Sequence, residues 1–261
     1  MRAQSVTLTN QKGGPGKTTT TYHVAHSARH AGKRVLIVDA DENGDLTSVA
    51  MQDPEQTWDY DVADLLSSYR HQTLTAREVI VPSAWEGVDL MPSGPGLANL
   101  KAELAADAQP GRELRLRKAL APLLDDYDLI LIDSPGDVNQ ITANVLAAVD
   151  QAFIVVEGGL FNADAAGKAL ANIDVVREHY NPALTVSGLV VNRHQQTNLH
   201  SRSLEDLQAY GLPIFGPINN LVAIRESLEA AQGLHSWSRE AAKIAEVYDE
   251  IFEAIEERRT V

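Results

Sequence analysis

The sequence predicts an α/β fold in which a doubly wound, mostly parallel sheet is flanked by helices. Two observations support this prediction. Segments with helical periodicity alternate with strand-like runs over the whole length, and such alternation produces right-handed βαβ units. The strand-like runs are also almost continuously apolar, which is typical of parallel strands that are buried on both faces. The clearest of these runs lie at residues 35–38, 129–132, 152–157 and 186–192.

The first half of the chain begins with a short strand, Ser5–Thr9, followed by a helix over residues 17–31 that ends at Gly32. The apolar strand 35–38 leads into an acidic turn over residues 39–45. Pro54 interrupts a loop-like stretch. The elements expected after it are short helical or mixed pieces at 62–67 and 76–81, a strand at 88–91, a turn at 92–96, and helices at 97–106 and 112–124.

The second half continues the alternation. Strands are expected at 127–133, 152–157 and 186–192, with a weaker last strand at 213–218. Helices are expected between and after them, at about 138–148, 163–179, 200–210, 221–231 and 237–258. We find no internal repeat, low-complexity tract or linker, and therefore predict a single domain over residues 1–261.

Composition limits the possible functions. The chain contains no cysteine, which excludes a disulfide framework, a thiolate metal site and an iron–sulfur cluster, and a reducing cytoplasm is the expected compartment. No apolar run approaches the length that crosses a bilayer, and the N-terminus is strand-like rather than a signal peptide. The formal net charge of -14 argues against a protein built mainly to coat DNA. It leaves room for a local basic face in an assembled dimer.

The stretch Asn10–Thr21, NQKGGPGKTTTT, joins the first strand to the first helix. A glycine-rich turn in this position directs free backbone N–H groups at one point, where the positive end of the helix also lies. Lys17 adds an ammonium group, and the Thr18 hydroxyl is a suitable Mg²⁺ ligand. The glycines at 13, 14 and 16 permit close backbone approach or a positive φ. The stretch therefore predicts a nucleotide-phosphate site.

This loop departs from the ordinary phosphate-loop pattern, because Gln11 stands where that pattern has a glycine. A second lysine, Lys12, instead lies directly before the glycines. Neighbouring cations repel each other unless an anion neutralises them, and a polyphosphate from the same chain or a neighbour would do so. The KGGPGKT arrangement at residues 12–18 resembles the deviant Walker A motif of the ParA/MinD family of ATPases.

Three acids lie at predicted strand ends, where ligands bind in sheets of this kind. The run Leu129–Asp133 resembles a Walker B strand, whose carboxylate would hold Mg²⁺ through a water. Asp39 and Asp41, in VDADENGDLT, resemble the second acidic motif of the family. By this resemblance Asp41 orients the attacking water, and Asp39 lies near the waters of the metal ion.

The resemblance implies ATP and Mg²⁺ as cofactors and a homodimer in the ATP-bound state. Lys12 would reach across the dimer interface to the nucleotide of the partner. Phosphoryl transfer needs mainly positioning and charge neutralisation. The implied catalytic residues are Lys12, Lys17 and Asp41, the implied metal-site residues are Thr18, Asp39 and Asp133, and the implied nucleotide-binding residues are Lys12, Gly13, Gly14, Gly16, Lys17, Thr18, Thr19, Asn192 and Pro217.

The adenine site rests on two weaker likenesses. Asn192 follows an apolar run at the place where family members offer an asparagine to the base, although it could equally be a turn residue. The turn at residues 217–219 resembles the loop that lines the other side of the ring. The family resemblance favours ATP over GTP.

Several residues depart from the family pattern around the predicted site. Glu42 and Asn43 replace the usual Pro and Gln after Asp41, and they add a negative charge. Residues 133–137, DSPGD, replace the more usual DxPP. Pro15 lacks an N–H group and so removes one possible phosphate donor. These changes bear on the hydrolysis rate and on the switch motion, whereas Gly16, Lys17 and Thr18 remain for nucleotide binding.

The C-terminal helix separates two branches of the family. Ile244, Val247, Tyr248, Ile251, Phe252 and Ile255 form an apolar stripe at helical spacing. The opposite face is strongly acidic and would be repelled by an anionic membrane. We therefore expect this helix to pack on the sheet, with no membrane partner and with DNA as the surface.

ParA-type proteins bind DNA non-specifically through basic residues near the last helices. The candidates here are Arg193, Arg202, Arg225, Arg239 and Lys243. Scattered arginines are also common as solvated surface or helix pairs, and the amides at 195–198 stand where several family members place an arginine. The histidines at 23, 26 and 30 share a helical face, and we interpret them as surface or helix-packing residues rather than as a metal site.

The leading hypothesis is an ATP-dependent, dimerising, nucleoid-associated ATPase of the ParA type. It would bind DNA non-specifically and segregate or position plasmid, chromosome or protein cargo. A cargo-bound partner of the ParB kind would stimulate hydrolysis and release. The alternatives are a small-molecule kinase or ligase on the same scaffold, using Arg70 and His71 or residues 112–118, a positioning ATPase that does not use DNA, and a non-catalytic ATP sensor.

Overall fold

In the computed structural model, which describes residues 2–51, 56–69, 73–157, 162–193, 204–219 and 222–260, the strands form one mostly parallel sheet. Its strand order is β3-β4-β2-β5-β1-β6-β7-β8; β3 and β4 pair in antiparallel fashion, and the other described strand pairs are parallel. The α/β class with a mostly parallel sheet is thus confirmed. The strands are β1 Gln4–Thr9, β2 Val35–Asp39, β3 Val81–Pro82, β4 Val88–Met91, β5 Leu129–Asp133, β6 Gln151–Glu157, β7 Thr185–Asn192 and β8 Ile214–Phe215.

Helices cover both faces of this sheet. Most of them follow the predicted alternation, and short 3₁₀ turns extend several of them. The α-helices are α1 Lys17–His30, α2 Asp45–Ala50, α3 Val62–Leu66, α4 Ala76–Val79, α5 Leu97–Ala106, α6 Arg115–Leu120, α7 Gln140–Ala148, α8 Asn162–His179, α9 at 204–208, α10 Val222–Glu229 and α11 Arg239–Glu257.

The core consists of two apolar layers, one on each face of the sheet. Successive strand side chains point to opposite faces, so Leu36 and Val38 of β2 lie in one layer and Val35 and Ile37 in the other. Helices α3 to α8 contribute to the first layer, and α1, α10 and α11 contribute to the second. Both faces are covered, which explains the continuous apolar runs.

Helix α1 is enclosed on nearly all sides. The hydroxyl of Tyr22 donates to the carbonyl oxygens of Ser227 and Gln232, at 3.2 and 3.1 Å. The rings of His23 and His26 are buried and pack against aromatic neighbours, 4.8 Å from the Tyr248 ring and 4.4 Å from the Trp85 ring respectively. Packing of these histidines inside the fold is thus observed, as expected.

Helix α11 packs on α1 and on the sheet through the predicted apolar stripe. Ser238 caps it, since its hydroxyl accepts from the N–H of Ala241 at 3.1 Å. Within the described ranges, no helix combines the length and the apolar character needed to cross a membrane. The stripe residues Tyr248, Ile251, Phe252 and Ile255 are buried, and Ile244 and Val247 are half-buried against the same core layer.

Several predicted boundaries are wrong for local reasons. The segment 112–124 is not one helix, because Pro122 lies in a 3₁₀ turn after α6. The acidic stretch 39–45 is not only a turn, because Gly44, with φ 65°, caps the short helix α2. Residues 80 and 81 are not helical, and Val81 pairs with β4 as an edge strand. The last strand covers only Ile214–Phe215.

Strand order places the ends of β1, β2 and β5 together. From β1 the chain winds one way to β2, with β5 between them, and from β5 it crosses β1 to reach β6. Ligands bind at such reversals in doubly wound sheets, outside the carboxyl ends of the strands. The loop after β1 therefore lies beside the acids that end β2 and β5.

Candidate active site

The loop between β1 and α1 forms an open cradle of backbone. Gly14 and Gly16 have φ values of 92° and 91°, a left-handed conformation that favours glycine. Gly16 is the N-cap residue of α1, and no side chain caps the helix. The N–H groups of its first turn therefore have no intrahelical partner. An anion placed there would accept hydrogen bonds from those groups and would be stabilised by the positive end of the helix dipole.

Two polar side chains tie this cradle to its surroundings. The amide of Asn10 donates to the carbonyl of Val155 in β6 at 2.5 Å, and its oxygen accepts from the N–H of Lys12 at 3.2 Å. Gln11, which stands where the ordinary motif has glycine, donates to the carbonyl of Lys168 in α8 at 2.7 Å. Neither role is marked in the sequence, since neither residue is part of the glycine–lysine pattern.

The two lysines of the loop occupy different environments. Lys17 is 6% exposed, and its ammonium group makes no hydrogen bond to any residue that the structure describes. A buried ammonium group of this kind is costly unless an anion compensates it. Lys12, by contrast, is exposed on the outer part of the loop. Lys17 thus fits a phosphate bound within the cradle, and Lys12 is accessible from outside.

Asp39 and Asp133 lie side by side at the ends of β2 and β5, where they are register partners. Both are fully buried. Asp39 accepts from the N–H and hydroxyl of Thr47, at 2.8 and 2.7 Å. Asp133 Oδ2 accepts from the Thr18 hydroxyl at 2.6 Å, whereas its Oδ1 is buried without a partner in the described part of the chain.

Burial, and then the neighbouring carboxylate of Asp39, raise the pKa of Asp133 well above its ordinary value. The hydrogen bond from Thr18 and the charge of Lys17 oppose this shift. Burial also raises the pKa of Asp39, although Thr47 and the N–H of Asp41 stabilise its ionised form. Two adjacent buried carboxylates therefore carry an electrostatic cost that a cation would remove.

The donor set fits Mg²⁺. Carboxylate and hydroxyl oxygens are the ligands that this ion prefers, often through its retained waters. Thr18, Asp39 and Asp133 bring such oxygens together, and the unpartnered Oδ1 of Asp133 leaves one oxygen available. The three residues predicted for the metal site thus lie in one place.

Asp41 lies beyond the end of β2 and is half-buried. Its carboxylate accepts from the N–H of Asn43 at 3.1 Å, and its carbonyl oxygen accepts from the Ser93 hydroxyl at 2.7 Å. Together with Gly13 of the cradle it lines a cavity of about 210 Å³. Asp41 is therefore held beside the phosphate loop, on its outer side.

A larger cavity, of about 740 Å³, opens on the other side of the loop. Asn192, at the end of β7, lines it, and its amide donates to the Thr20 hydroxyl at 3.1 Å. Asn219 also lines this cavity, whereas Pro217 of the same turn is exposed and is not among the described residues that line it. The other lining residues are Gly16, Thr18, Thr19, Asp45, Ser48, Val49, Arg193, Ile224, Arg225, Leu228 and Glu229.

Helices α2 and α10 line this cavity without a motif that predicts it. Helix α2 begins at Asp45, the last residue of the predicted acidic turn, and no element was predicted for residues 46–50. Helix α10 has no nucleotide-binding motif. The only sequence signal for their position is that each follows a strand at the carboxyl edge of the sheet, the edge at which ligands bind. The cavity thus adjoins the phosphate loop and the predicted base-contacting asparagine.

The basic residues considered for DNA are dispersed. Arg193 pairs with Glu157 at 2.9 Å, and Arg225 approaches Glu229 at 3.8 Å. Both arginines line the larger cavity. Arg239 and Lys243 are exposed on the first turns of α11. Arg202 and the amide tract 195–198 lie outside the described residues.

Two of the basic residues considered as anchors for a small substrate, Arg112 and Arg115, are paired within the fold. Arg112 pairs with Glu113 at 2.8 Å, and Arg115 pairs with Glu103 at 3.3 Å and also with Asp107. These arginines thus hold α5 and α6 together. Arg70 and His71 lie outside the described residues.

Comparison with known proteins places this geometry in a family. A family model described as an AAA domain matches residues 3–186. The sporulation initiation inhibitor protein Soj of Bacillus subtilis is 32% identical over 213 residues, covering 78% of this chain and 79% of Soj. The chromosome partitioning protein ParA of Myxococcus xanthus is 30% identical over 206 residues, covering 78% of this chain and 70% of that protein.

Solved structures with a similar fold are also found among known proteins. Apo McdA of Cyanothece has a TM-score of 0.86 at 21% identity, covering 97% of this chain and 99% of McdA. Cobyrinic acid a,c-diamide synthase of Mycobacterium smegmatis, solved with ADP and magnesium, has a TM-score of 0.78 at 27% identity, covering 96% and 93%. With the family match over most of its length, the chain belongs to the ParA/MinD-type P-loop ATPases.

Proposed function

We propose that this chain is an ATP-driven dimerising switch that segregates or positions plasmid, chromosome or protein cargo on DNA. ATP closes a homodimer, the dimer binds DNA non-specifically, and a cargo-bound partner of the ParB kind stimulates slow hydrolysis and release. The observation that carries the proposal is the pair of lysines in one cradle, Lys17 buried and Lys12 exposed. The name of the Myxococcus relative, a chromosome partitioning protein, points the same way.

Each side chain of the site has a role in this scheme. Lys17 and the first N–H groups of α1 neutralise and orient phosphate oxygens. Thr18 and Asp133, with Asp39 behind them, hold Mg²⁺, which when bound supplies charge neutralisation at the phosphates. Asp41 orients the attacking water. Asp133 Oδ1, which is buried without a partner among the described residues, supports the metal role, because a hard cation would bind such an oxygen.

Lys12 acts between subunits in this proposal. Its exposed position on the outer part of the loop allows it to contact a nucleotide held by a partner. A nucleotide shared in this way would make dimerisation depend on ATP. Removal of the Lys12 charge is therefore expected to abolish the dimer while leaving the Lys17 cradle intact.

The DNA surface must be local, because the whole chain carries a formal charge of -14. Binding by a few arginines and lysines of an assembled dimer would be weak and steeply salt-dependent. Arg239 and Lys243, exposed on α11, are the best placed of the candidates. We place the protein in the cytoplasm, associated with the nucleoid through this surface.

DNA co-sedimentation tests the proposal. The protein is mixed with non-specific duplex DNA at low and at physiological salt, with ATP, with ADP and without nucleotide. Lys12→Ala is compared with Lys168→Ala, which removes a solvated lysine of α8 that pairs with Asp164. The proposal expects ATP-dependent binding that falls with salt, is lost in Lys12→Ala and is kept in Lys168→Ala. Equal binding in all nucleotide states would refute it.

A second function has one observation in its favour. The structure at 27% identity is named as a cobyrinic acid a,c-diamide synthase, and so is an enzyme acting on a small molecule. This chain has a further cavity of about 360 Å³, lined in part by Trp58 and Tyr60. ATP-dependent modification of an added small acid, with no DNA effect, would favour a ligase or kinase.

A further inference from the structure

A lysine outside all the recognised motifs reaches the candidate site. Lys101 lies on α5, and its ammonium nitrogen is 2.6 Å from Asp137 Oδ2 and 3.7 Å from Glu42 Oε1. Asp137 belongs to the loop after β5, and Glu42 belongs to the loop after β2. One cation therefore joins the two loops that follow Asp133 and Asp39.

The loop after β5 is in direct contact with the phosphate loop. A Cβ placed on Gly136 would lie 3.2 Å from both the Cα and the nitrogen of Gly13, which is tighter than an ordinary van der Waals contact. The two backbones thus touch at this point, and Asp137 is the next residue. A displacement of Gly13 would be passed on to Asp137 and so to Lys101.

The loop after β2 carries Asp41, and Glu42 follows it directly. The backbone here is held by the bond from the Ser93 hydroxyl to the Asp41 carbonyl, and by the N–H of Gly44, which donates to the same oxygen at 3.1 Å. The position of Glu42 is thereby tied to that of Asp41. A contact to Glu42 consequently acts on the residue proposed to orient water.

These loops and Lys101 surround the cavity of about 210 Å³ that Gly13 and Asp41 line. The lining includes the carboxylates of Asp41, Glu42 and Asp137, and Lys101 is the one cation among its described lining residues. Without that cation, the clustered carboxylates repel one another and any approaching anion. The hydrogen bond to Asp137 raises the pKa of Lys101, so the ammonium group stays charged at neutral pH.

We propose that Lys101 is a positioning residue that couples the loop carrying Asp41 to the loop carrying Gly136. It sets the place of Asp41 relative to the phosphate loop and offsets the charge added by Glu42. This inference rests on the proposed function for its catalytic consequence, although the coupling itself is a property of the protein without nucleotide. Glu42 and Gly136 are departures from the family pattern, and Lys101 joins the two loops that carry them.

Hydrogen exchange followed by mass spectrometry tests the coupling without ATP. Lys101→Met is compared with wild type, with Lys101→Arg and with Lys168→Met, which breaks an ion pair of 2.8 Å on α8. Loss of a partly exposed ion pair is expected to change the local exchange rate by about twofold to fivefold. Lys101→Met should raise exchange by this factor in both segments, 41–44 and 134–138. Lys101→Arg should restore protection, and Lys168→Met should leave both segments unchanged.

The same experiment can overturn the proposal. Faster exchange in only one of the two segments would show that Lys101 supports a single loop and couples nothing. Unchanged exchange in both segments would show that the contacts of Lys101 with Glu42 and Asp137 restrain neither loop. Neither result depends on whether the protein hydrolyses ATP, so failure here is distinct from failure of the proposed function.

Steady-state ATP hydrolysis and calorimetric ATP binding test the consequence. Misplacement of a water-orienting group lowers the rate of the chemical step more than ground-state binding. Lys101→Met should lower kcat about tenfold with the Kd for ATP within about twofold of wild type, and Lys101→Arg should recover most of the rate. Equal losses in kcat and affinity would refute the positioning role. In a double-mutant cycle with Asp137→Asn, additive losses would also refute it.

Discussion

Replacement of Gly16 by alanine is expected to destabilise the fold through the phosphate loop. Gly16 caps α1 with φ 91° and ψ 30°, a conformation that side-chain-bearing residues rarely adopt. A Cβ there would lie 2.4 Å from Asn192 Nδ2. That nitrogen donates to the Thr20 hydroxyl at 3.1 Å. The substitution therefore strains the backbone and displaces a buried amide.

Three contributions set the size of the effect. The left-handed conformation costs a residue with a Cβ about 1–2 kcal/mol. Loss of the bond from Asn192 to Thr20 costs about 1 kcal/mol. Alanine also stiffens the unfolded chain, which offsets about 0.4–1 kcal/mol. The free energy of unfolding should therefore fall by about 1–3 kcal/mol, a substantial part of the stability of an ordinary domain.

Urea unfolding followed by circular dichroism measures this change, and Gly13→Ala provides the matched control. Gly13 belongs to the same loop, but a Cβ there meets nothing within 4 Å, and Gly13 is not among the positive-φ glycines. Gly13→Ala should stay within about 0.5 kcal/mol of wild type, the usual range for a substitution without steric conflict.

The pair of variants can refute this reasoning in two ways. A Gly16→Ala protein as stable as wild type would show that the loop relaxes freely around the added methyl group. Equal destabilisation in both variants would show that the loop responds to any loss of glycine. In either case the contact between Gly16 and Asn192 would not hold the loop in place.

Three further predictions concern buried groups. Burial lowers the pKa of His26 to about 3, so below pH 6.5 the unfolded chain binds a proton that the native chain does not. The free energy of unfolding should therefore fall by about 2 kcal/mol between pH 6.5 and 5 because of this group. In a series of urea titrations at different pH values, His26→Leu should flatten that part of the pH dependence. Burial and Asp39 raise the pKa of Asp133 well above its ordinary value, so this carboxyl destabilises the fold at neutral pH. Asp133→Asn removes that cost and should raise Tm by about 2 °C or more, while it lowers ATP hydrolysis about a hundredfold; a lower Tm in a thermal scan would contradict the first half. A Cβ at Gly94 would lie 1.7 Å from Asp61 Oδ2, in the carboxylate that caps α3. Gly94→Ala should therefore lower the free energy of unfolding by about 1 kcal/mol or more. In a double-mutant cycle, this loss should not add to that of Asp61→Ala.

The fold was predictable because its strongest signals are local. Four apolar residues in a row, as in β5, specify a strand buried on both faces without reference to any neighbour. The strand–loop–helix around Lys17 likewise follows from glycines, a lysine and threonines in fixed order. Asp39 and Asp133 were expected at one edge because the carboxyl ends of parallel strands meet there. The structure places them in register, side by side.

The remaining features depend on contacts between distant segments. The role of Asn10 lies in a bond to β6, and the reach of Lys101 to Glu42 and Asp137 arises only when α5 packs beside two loops. Nothing in the sequence near Lys101 marks it as different from a solvated helix lysine. Asn192 was open between two readings, and the structure shows it bonded to α1 at the mouth of a cavity.

The enclosure of α1 determines which parts of the site can respond to a ligand. The helix is buried from Thr20 to Ala28, and its Tyr22, His23 and His26 are held between α10, α11 and the sheet. Sliding or rotating such a helix would open voids on several sides at once, which close-packed interiors resist. The end of the phosphate loop that joins α1, at Gly16, is thus a fixed reference point. Motion driven by nucleotide should therefore be sought in the loops after β2 and β5, which lead into the shorter helices α2 and α7.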